Sequence, residues 1–335
     1  MKIANLALQG GGTHGAFTWG VLHRLLEEPR LEIEGISATS AGAINAVVLA
    51  QGLLAGGREG AVQALSDFWR RVAEFARTSP LQPSWYDRLT RNYALTHSPG
   101  YVWLDLLTRF FSPYQLNPFN YNPLKSMLEH AVDFERLRNE CAPKLFLCAT
   151  NVRTGKVRLF TNREISSACV LASACLPLLH QAVEIEGEYF WDGGYMGNPA
   201  LFPLIYECES RDIIVVHINP TERQHIPTTA PEIIDRINEI SFNSSLFREM
   251  RAIAFVTRLI DEGKIPDGSL KRMLIHAIEA GDVMQKLGIT SKYNADGNFL
   301  GHLHDTGYNR ADAWIAQFLD RIGVQSTVDI RAKYL

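Results

Sequence analysis

Apolar positions along the chain fall into alternating short runs and helical stripes. Residues 3–8 form a mostly apolar run that ends in Gly10-Gly11-Gly12, and Phe17, Val21, Leu22, Leu25 and Leu26 then recur at helical spacing between Ala16 and Glu27. The reading is strand, glycine turn, helix. Residues 31–38 repeat the unit, turning at Thr39-Ser40 into a small-residue apolar helix from Ala41 to Leu54. Alternation of this kind predicts an α/β fold with a mainly parallel sheet whose strand carboxyl ends carry the site.

Residues 61–77 predict a further helix, with Val62, Leu65, Phe68, Trp69, Val72 and Phe75 on one stripe. The composition then shifts into an irregular insertion over about residues 80–130. Ten aromatics (Trp85, Tyr86, Tyr93, Tyr101, Trp103, Phe110, Phe111, Tyr114, Phe119, Tyr121) crowd into it, against 10% aromatics in the whole chain. It reads as a lid with an apolar wall, as an interfacial surface, or as a satellite hydrophobic core.

Strands resume at residues 144–150, with a hairpin through Asn151–Gly155 into residues 157–160, followed by a helix over 165–173. Residues 183–191 alternate as a second hairpin with Gly187 in its turn, and residues 212–218 form the last obvious core strand. Beyond Pro220 the pattern is helical, over about 232–262, 268–286 and 307–321. The expected organisation is an α/β domain over 1–220, which carries whatever chemistry the strand ends hold, and an all-helical C-terminal extension over 221–335. No internal repeat or low-complexity segment interrupts it.

Composition narrows the class. With 335 residues, 46% hydrophobic and 21% charged, the chain is ordinary for a globular protein. Lys and Arg number 33 and Asp and Glu 36, a net charge of −3, so no global field favours nucleic acid as a partner. No apolar run reaches the roughly 18 residues of a spanning helix, and the N-terminus lacks the pattern of a signal peptide. Cys141, Cys148, Cys169, Cys175 and Cys208 form no C-x-x-C pair and are expected as buried free thiols in a reducing compartment. The expected location is cytoplasmic, with peripheral contact at a membrane.

Three segments carry candidate chemistry. Ala38-Thr39-Ser40-Ala41-Gly42 places small residues around a serine at a strand-to-helix turn, as a nucleophile elbow requires; the competing reading is an N-capping serine. Gly10-Gly11-Gly12-Thr13-His14-Gly15 offers backbone N–H groups for an oxyanion or a phosphate. A dinucleotide reading with Glu32 or Glu34 as the ribose-binding acid leaves the second turn, at Ser40, without a role. Trp191-Asp192-Gly193-Gly194 closes a strand, and is either a plain turn or the carboxylate partner of the serine.

In their order and spacing these motifs resemble the patatin-like phospholipase family, over about residues 3–220. The resemblance implies a three-layer patatin-like fold, with Ser40 as nucleophile, Asp192 as its partner in a catalytic dyad, and Gly10, Gly11 and Gly12 as the oxyanion hole. A small-residue helix leading to a proline, Ala172-Ser173-Ala174-Cys175-Leu176-Pro177, is similar to a further family feature. The sequence departs from the family pattern at Ala38, usually glycine, and at His14, usually a cation, and histidine is charged only part of the time near neutrality. The implied activity is hydrolysis of phospholipid or related lipid esters by a serine esterase that needs no metal or cofactor. Burial is expected to raise the Asp192 pKa.

The alternatives are action on another hydrophobic ester such as a storage polyester, by hydrolysis or acyl transfer, and an inactive lipid-binding member of the fold. A triad with His14 as base is the rival mechanism. His180 reads as a loop residue and His217 as a core residue. His302-Leu303-His304-Asp305 has a metal-like look, but two histidines two apart need further ligands.

Overall fold

Strand β1 (Lys2–Leu8) lies inside the sheet, parallel to β2 (Leu31–Thr39) on one side and to β7 (Asp212–His217) on the other. The computed structural model describes the chain except residues 85–86, 88–92, 141–142, 224–225 and 267. The other strands are β3 (Lys144–Asn151), β4 (Val157–Thr161), β5 (Val183–Ile185), β6 (Glu188–Asp192) and β8 (Leu274–Glu279). They order as β5-β6-β3-β2-β1-β7-β8, with β4 paired to β3 off that path. Pairs β2/β3 and β7/β8 are parallel, while β3/β4, β3/β6 and β5/β6 are antiparallel.

Helices cover both faces. They are α1 (Gly15–Leu26), α2 (Ala41–Ala76), α3 (Pro99–Phe110), α4 (Pro113–Leu116), α5 (Pro123–Ala131) and α6 (Phe134–Glu140). After β4 come α7 (Ser167–Ser173), α8 (Phe202–Glu207), α9 (Ala230–Asp261), α10 (Gly281–Met284), α11 (Gly297–Phe318) and α12 (Ile330–Tyr334). Side chains alternate along each strand. Leu6, Leu8, Ile36, Ala38, Ile214 and Val216 therefore pack with α1, α2 and α11 in one core. Ala7, Phe146, Ile213, Val215 and Ile275 pack with α8, α9 and α12 in the other. A sheet buried on both faces between helices is the three-layer α/β arrangement.

The predicted helices over 41–54 and 61–77 lie in α2, whose backbone leaves helical geometry at Gly56 and Gly57. Both hairpins form as read, with Gly155 and Gly187 at positive φ. The C-terminal part is helical but not wholly so. Where a helix over 268–286 was expected, residues 274–279 form the edge strand β8, and helix is confined there to α10. A short apolar run carries no period that separates a buried strand from a buried helix, and pairing with β7 decides it. Helix α11 starts at Gly297 rather than near residue 307, capped by the Asp296 side chain, which accepts the Asn298 N–H.

The insertion divides. Tyr93 stacks on Phe299 at 4.5 Å and Tyr101 lies 6.0 Å from Tyr293, so these two rings join the body of the fold. Helix α3 buries none of its residues, and Trp103, Phe110, Phe111, Tyr114, Phe119 and Tyr121 are exposed. For these six rings the satellite-core reading is therefore wrong. Trp85 and Tyr86 lie outside the described residues. Cys148, Cys169, Cys175 and Cys208 are buried free thiols, and Cys141 lies outside the described residues. No described helix is long and apolar enough to cross a membrane.

Candidate active site

Ser40 sits between β2 and α2 with φ 54° and ψ −122°, a left-handed backbone that a β-carbon makes costly. Its carbonyl accepts the Ile44 N–H at 3.1 Å and so opens the helix, but its side chain makes no capping bond. The N-cap reading of Ser40 therefore fails. Crowding explains the small neighbours. A β-carbon at Gly42 would collide with the Leu8 carbonyl, and one at Gly10 would come 2.6 Å from the Ser40 β-carbon. Position 38 differs because it lies within the strand, where the Ala38 methyl faces the core and displaces nothing.

The glycine loop follows β1, at the point where the chain's strand order reverses between β1 and β7. The Gly10 N–H donates to Asn198 Oδ1 at 2.7 Å, and the Gly10 carbonyl accepts from Asn219 Nδ2 at 2.8 Å. Among the described residues no acceptor meets the N–H groups of Gly11 and Gly12. Gly11 is buried and Gly12 exposed, while Gly10 is fixed in place and lies against Ser40.

Asp192 ends β6, two strands from the serine. Cys148 of β3 pairs with Thr39, and Ala149 pairs with Asp192, so the strand register itself brings the carboxyl toward the elbow. Its Oδ1 accepts the Gly194 N–H at 2.7 Å, the turn-forming role open to any Asp-Gly-Gly. Its Oδ2 is buried with no hydrogen-bond partner. Ser40 lies near enough for its hydroxyl to favour the carboxylate, although the two complete no hydrogen bond in this geometry. Burial dominates and pushes the Asp192 carboxyl up to about 7, against the smaller opposing pull of Gly194, Ser40 and Lys292.

Residues unmarked in the sequence hold this arrangement. Ser173 Oγ, on α7, accepts the Ser40 N–H at 2.9 Å, and the Thr39 hydroxyl donates to the Gly197 carbonyl at 2.6 Å. Gln9 Oε1 accepts the N–H groups of Ile218 and Asn219 at 2.9 and 3.0 Å. Of these, Thr39 lies in the elbow segment and Ser173 in the small-residue segment singled out by sequence, and nothing local marks the bond either hydroxyl makes.

The histidines separate from the site. His14 is buried and its Nε2 lies 2.8 Å from Ser291 Oγ, whose own hydroxyl donates to the Gly288 carbonyl, so the ring donates to Ser291. Burial first, then Lys292 and Arg223, lower the His14 pKa to about 3. The expected partial charge at position 14 near neutrality is therefore corrected: His14 is neutral. His217 Nε2 pairs with the Tyr334 hydroxyl at 2.6 Å inside the second core. His304 lies 3.0 Å from both His23 and Asp305, and His302 stacks on Tyr93 at 5.6 Å. Among the described residues no three His, Cys, Asp or Glu side chains gather as a metal site.

A three-layer α/β fold that gathers a strained serine, a glycine loop and a buried carboxyl at its strand ends is the frame of an α/β acyl hydrolase. The patatin-like phospholipase model matches residues 6–205. The chain belongs to that family and is a lipid acyl hydrolase. No curated protein matches it. Among solved structures it is similar to VipD from Legionella pneumophila, with a TM-score of 0.41, 14% identity, and 94% of this chain and 67% of that one covered. It is also similar to the ExoU–SpcU heterodimeric complex from the type III secretion system of Pseudomonas aeruginosa, with a TM-score of 0.34, 14% identity and coverage of 96% and 52%. The chain thus spans about two thirds of the first and about half of the second.

Proposed function

We propose that the chain cleaves ester bonds of phospholipids or related lipids with Ser40 as nucleophile and Asp192 as its general base. The observation that carries this reading is the Ser40 backbone, strained at φ 54° around a side chain that caps nothing. Strain without a structural return is expected where a hydroxyl must be presented to a substrate.

The steps follow from the groups present. As Ser40 Oγ bonds to the ester carbonyl carbon, its proton passes to Asp192 Oδ2 and the carbonyl π pair moves to oxygen. The N–H groups of Gly11 and Gly12 receive that oxyanion. Its collapse breaks the bond to the alcohol, which leaves with the proton from Asp192. Water then gives a proton to Asp192 while attacking the acyl carbon, and Ser40 Oγ takes that proton back as the fatty acid departs. Asp192 must be ionised to act, so activity rises as pH climbs through about 7.

The insertion supports a lipid at a surface. Gln181 Nε2 donates to the Asn117 carbonyl at 2.7 Å and the Ala182 N–H to the Tyr114 hydroxyl at 3.3 Å, joining the insertion to the segment before β5. A cavity of about 490 Å3 lies there, with Tyr114, Leu171, Cys175, His180, Val183 and Tyr189 in its walls. The Cys175 carbonyl accepts the Asp192 N–H at 2.8 Å, so one residue of the cavity wall is bonded to the proposed base. Exposed rings beside it suit peripheral contact at head-group depth.

Labelling with a fluorophosphonate followed by peptide mass spectrometry tests the reading. An adduct on Ser40, lost in Ser40→Ala, is expected. A folded protein that stays unlabelled, with probe delivered both in solution and in lipid vesicles, is the result for a lipid-binding member without activity.

A further inference from the structure

The turn at Ile289–Tyr293 comes from beyond the family-matched region and packs directly on the glycine loop. The Thr13 hydroxyl donates to the Ser291 carbonyl at 3.0 Å, and His14 pairs with Ser291 Oγ. The Lys292 carbonyl crosses Gly12 so closely that a β-carbon there would come within 2.5 Å of it, at a residue whose φ is +59°. Loop and turn are therefore one packed unit. The next side chain along, Lys292, is half-buried, and its Nζ donates to Asn219 Oδ1 at 2.7 Å.

Asn219 passes this contact on. Its Nδ2 donates to the Gly10 carbonyl, and its backbone N–H donates to Gln9. A chain of hydrogen bonds thus runs from the ammonium to the residue that touches the Ser40 β-carbon.

We propose that Lys292 is a positioning residue for the reaction at Ser40, holding the oxyanion loop through Asn219 and supplying the positive charge beside it. The proposal rests on the serine-hydrolase reading above. It makes the C-terminal part of the chain a component of the catalytic unit.

The surrounding charges favour this role. Lys292 faces Glu239 and Asp235 from α9, Arg223 from the segment after β7, and Asp192 from β6. Glu239 is already paired with Arg223 and with Arg236 at 3.1 Å, and Asp235 accepts the Ile289 N–H at 3.3 Å. Among the described residues the ammonium has no ion pair; its neighbours are the neutral Asn219 and the Phe242 ring, 6.0 Å away. Its charge is thus left to act on what lies near. It lowers the pKa of Asp192, favouring the ionised base, and it disfavours protonation of His14. Burial lowers the pKa of Lys292 itself to about 8. A charge that is fixed before the reaction and partly shielded from water stabilises a developing oxyanion without reorganisation.

Two variants of the full chain, assayed from pH 5.5 to 10 by hydrolysis of a soluble ester and by the rate of fluorophosphonate labelling at Ser40, test this. The unmodified protein is expected to gain activity through about pH 7 as Asp192 ionises and to lose it through about pH 8 as Lys292 deprotonates. Lys292→Arg keeps the charge at all these pH values, so the acid limb stays and the alkaline fall disappears. Lys292→Met lowers kcat about tenfold to a hundredfold with KM within about threefold, and moves the acid limb upward because Asp192 loses a favourable neighbour. Lys292→Met with the original kcat and both limbs unmoved overturns the proposal. Should Lys292→Met not fold, Lys292→Arg decides alone: an alkaline fall that persists near pH 8 overturns it. Labelled Ser40 with unmoved limbs removes only the role of Lys292, whereas an unlabelled Ser40 in the folded parent protein removes the serine reading and this proposal together.

Discussion

Ser173 Oγ receives the backbone N–H of Ser40 at 2.9 Å, so the strained residue is held by a side chain 133 positions away in the chain. Helix α7, which carries Ser173, leads directly to Cys175, whose carbonyl holds the Asp192 N–H. One short segment thus touches the backbone of both proposed catalytic residues. Ser173→Ala leaves a buried N–H unpaired at a strained position, a loss of about 1–3 kcal/mol. Chemical denaturation is expected to show that loss, and kcat to fall with it. An unchanged unfolding curve would show that the elbow keeps its shape without this bond.

Ser40 itself contributes little to stability. Because the side chain caps nothing, Ser40→Ala should melt within about 1 °C of the parent, whereas loss of a true N-cap costs about 0.5–2 kcal/mol. Ser40→Gly relieves the left-handed backbone, and part of that gain is offset by the greater freedom of glycine in the unfolded chain. A melting temperature at or above that of Ser40→Ala is expected, with neither variant hydrolysing ester.

Asp192 carries a stability cost with a definite pH dependence. Its folded pKa, about 7, lies above the ordinary 3.8 of an aspartate, so the folded state binds the proton more tightly than the unfolded state. The cost is absent below about pH 4, grows between pH 4 and 7 and stays level above pH 7. Asp192→Asn removes the charge, while its carbonyl still accepts from Gly194 and its amide points toward Ser40. The variant should be more stable than the parent above pH 7, by up to about 4 kcal/mol, with the difference closing as pH falls toward 4. Its kcat should drop by orders of magnitude. Equal melting curves at pH 8 would show that the carboxyl is not strained by burial, and near-normal turnover would remove Asp192 as the base.

Trp103, Phe110 and Phe119 are 63%, 75% and 94% exposed, so changing all three to serine removes surface and not core. The triple variant should keep the parent's melting temperature and its rate on a soluble ester. Binding to phospholipid vesicles and hydrolysis there should fall about tenfold or more, measured by co-sedimentation and released fatty acid. Unchanged vesicle binding would assign the exposed rings to some other contact.

What could be read along the chain were features whose physical demand is local. Gly10–Gly12 after a short apolar run, small residues on either side of Ser40, and the Gly155 and Gly187 hairpins each state a backbone geometry within a few positions. The strand-turn-helix units and the mainly parallel sheet follow from them, and the resemblance to the family turns Ser40 and Asp192 into candidate positions. The segment 274–279 shows where such reading stops. Leu274 and Ile275 fit a helix or a strand equally, and the free edge of β7 makes the choice.

The sequence by itself thus determined the α/β class and the two turns, because each is specified by residues adjacent in the chain, and the family resemblance added Ser40 and Asp192 as candidates. Only the tertiary structure decided their environment. Asn198 and Asn219 reach Gly10 across 188 and 209 positions, and Lys292 reaches Asn219 across 73. The charge states follow the same rule: burial beside Lys292 makes His14 neutral, and burial brings Asp192 to about 7. Desolvation and field depend on what folds around a group, and no local pattern in the sequence encodes that.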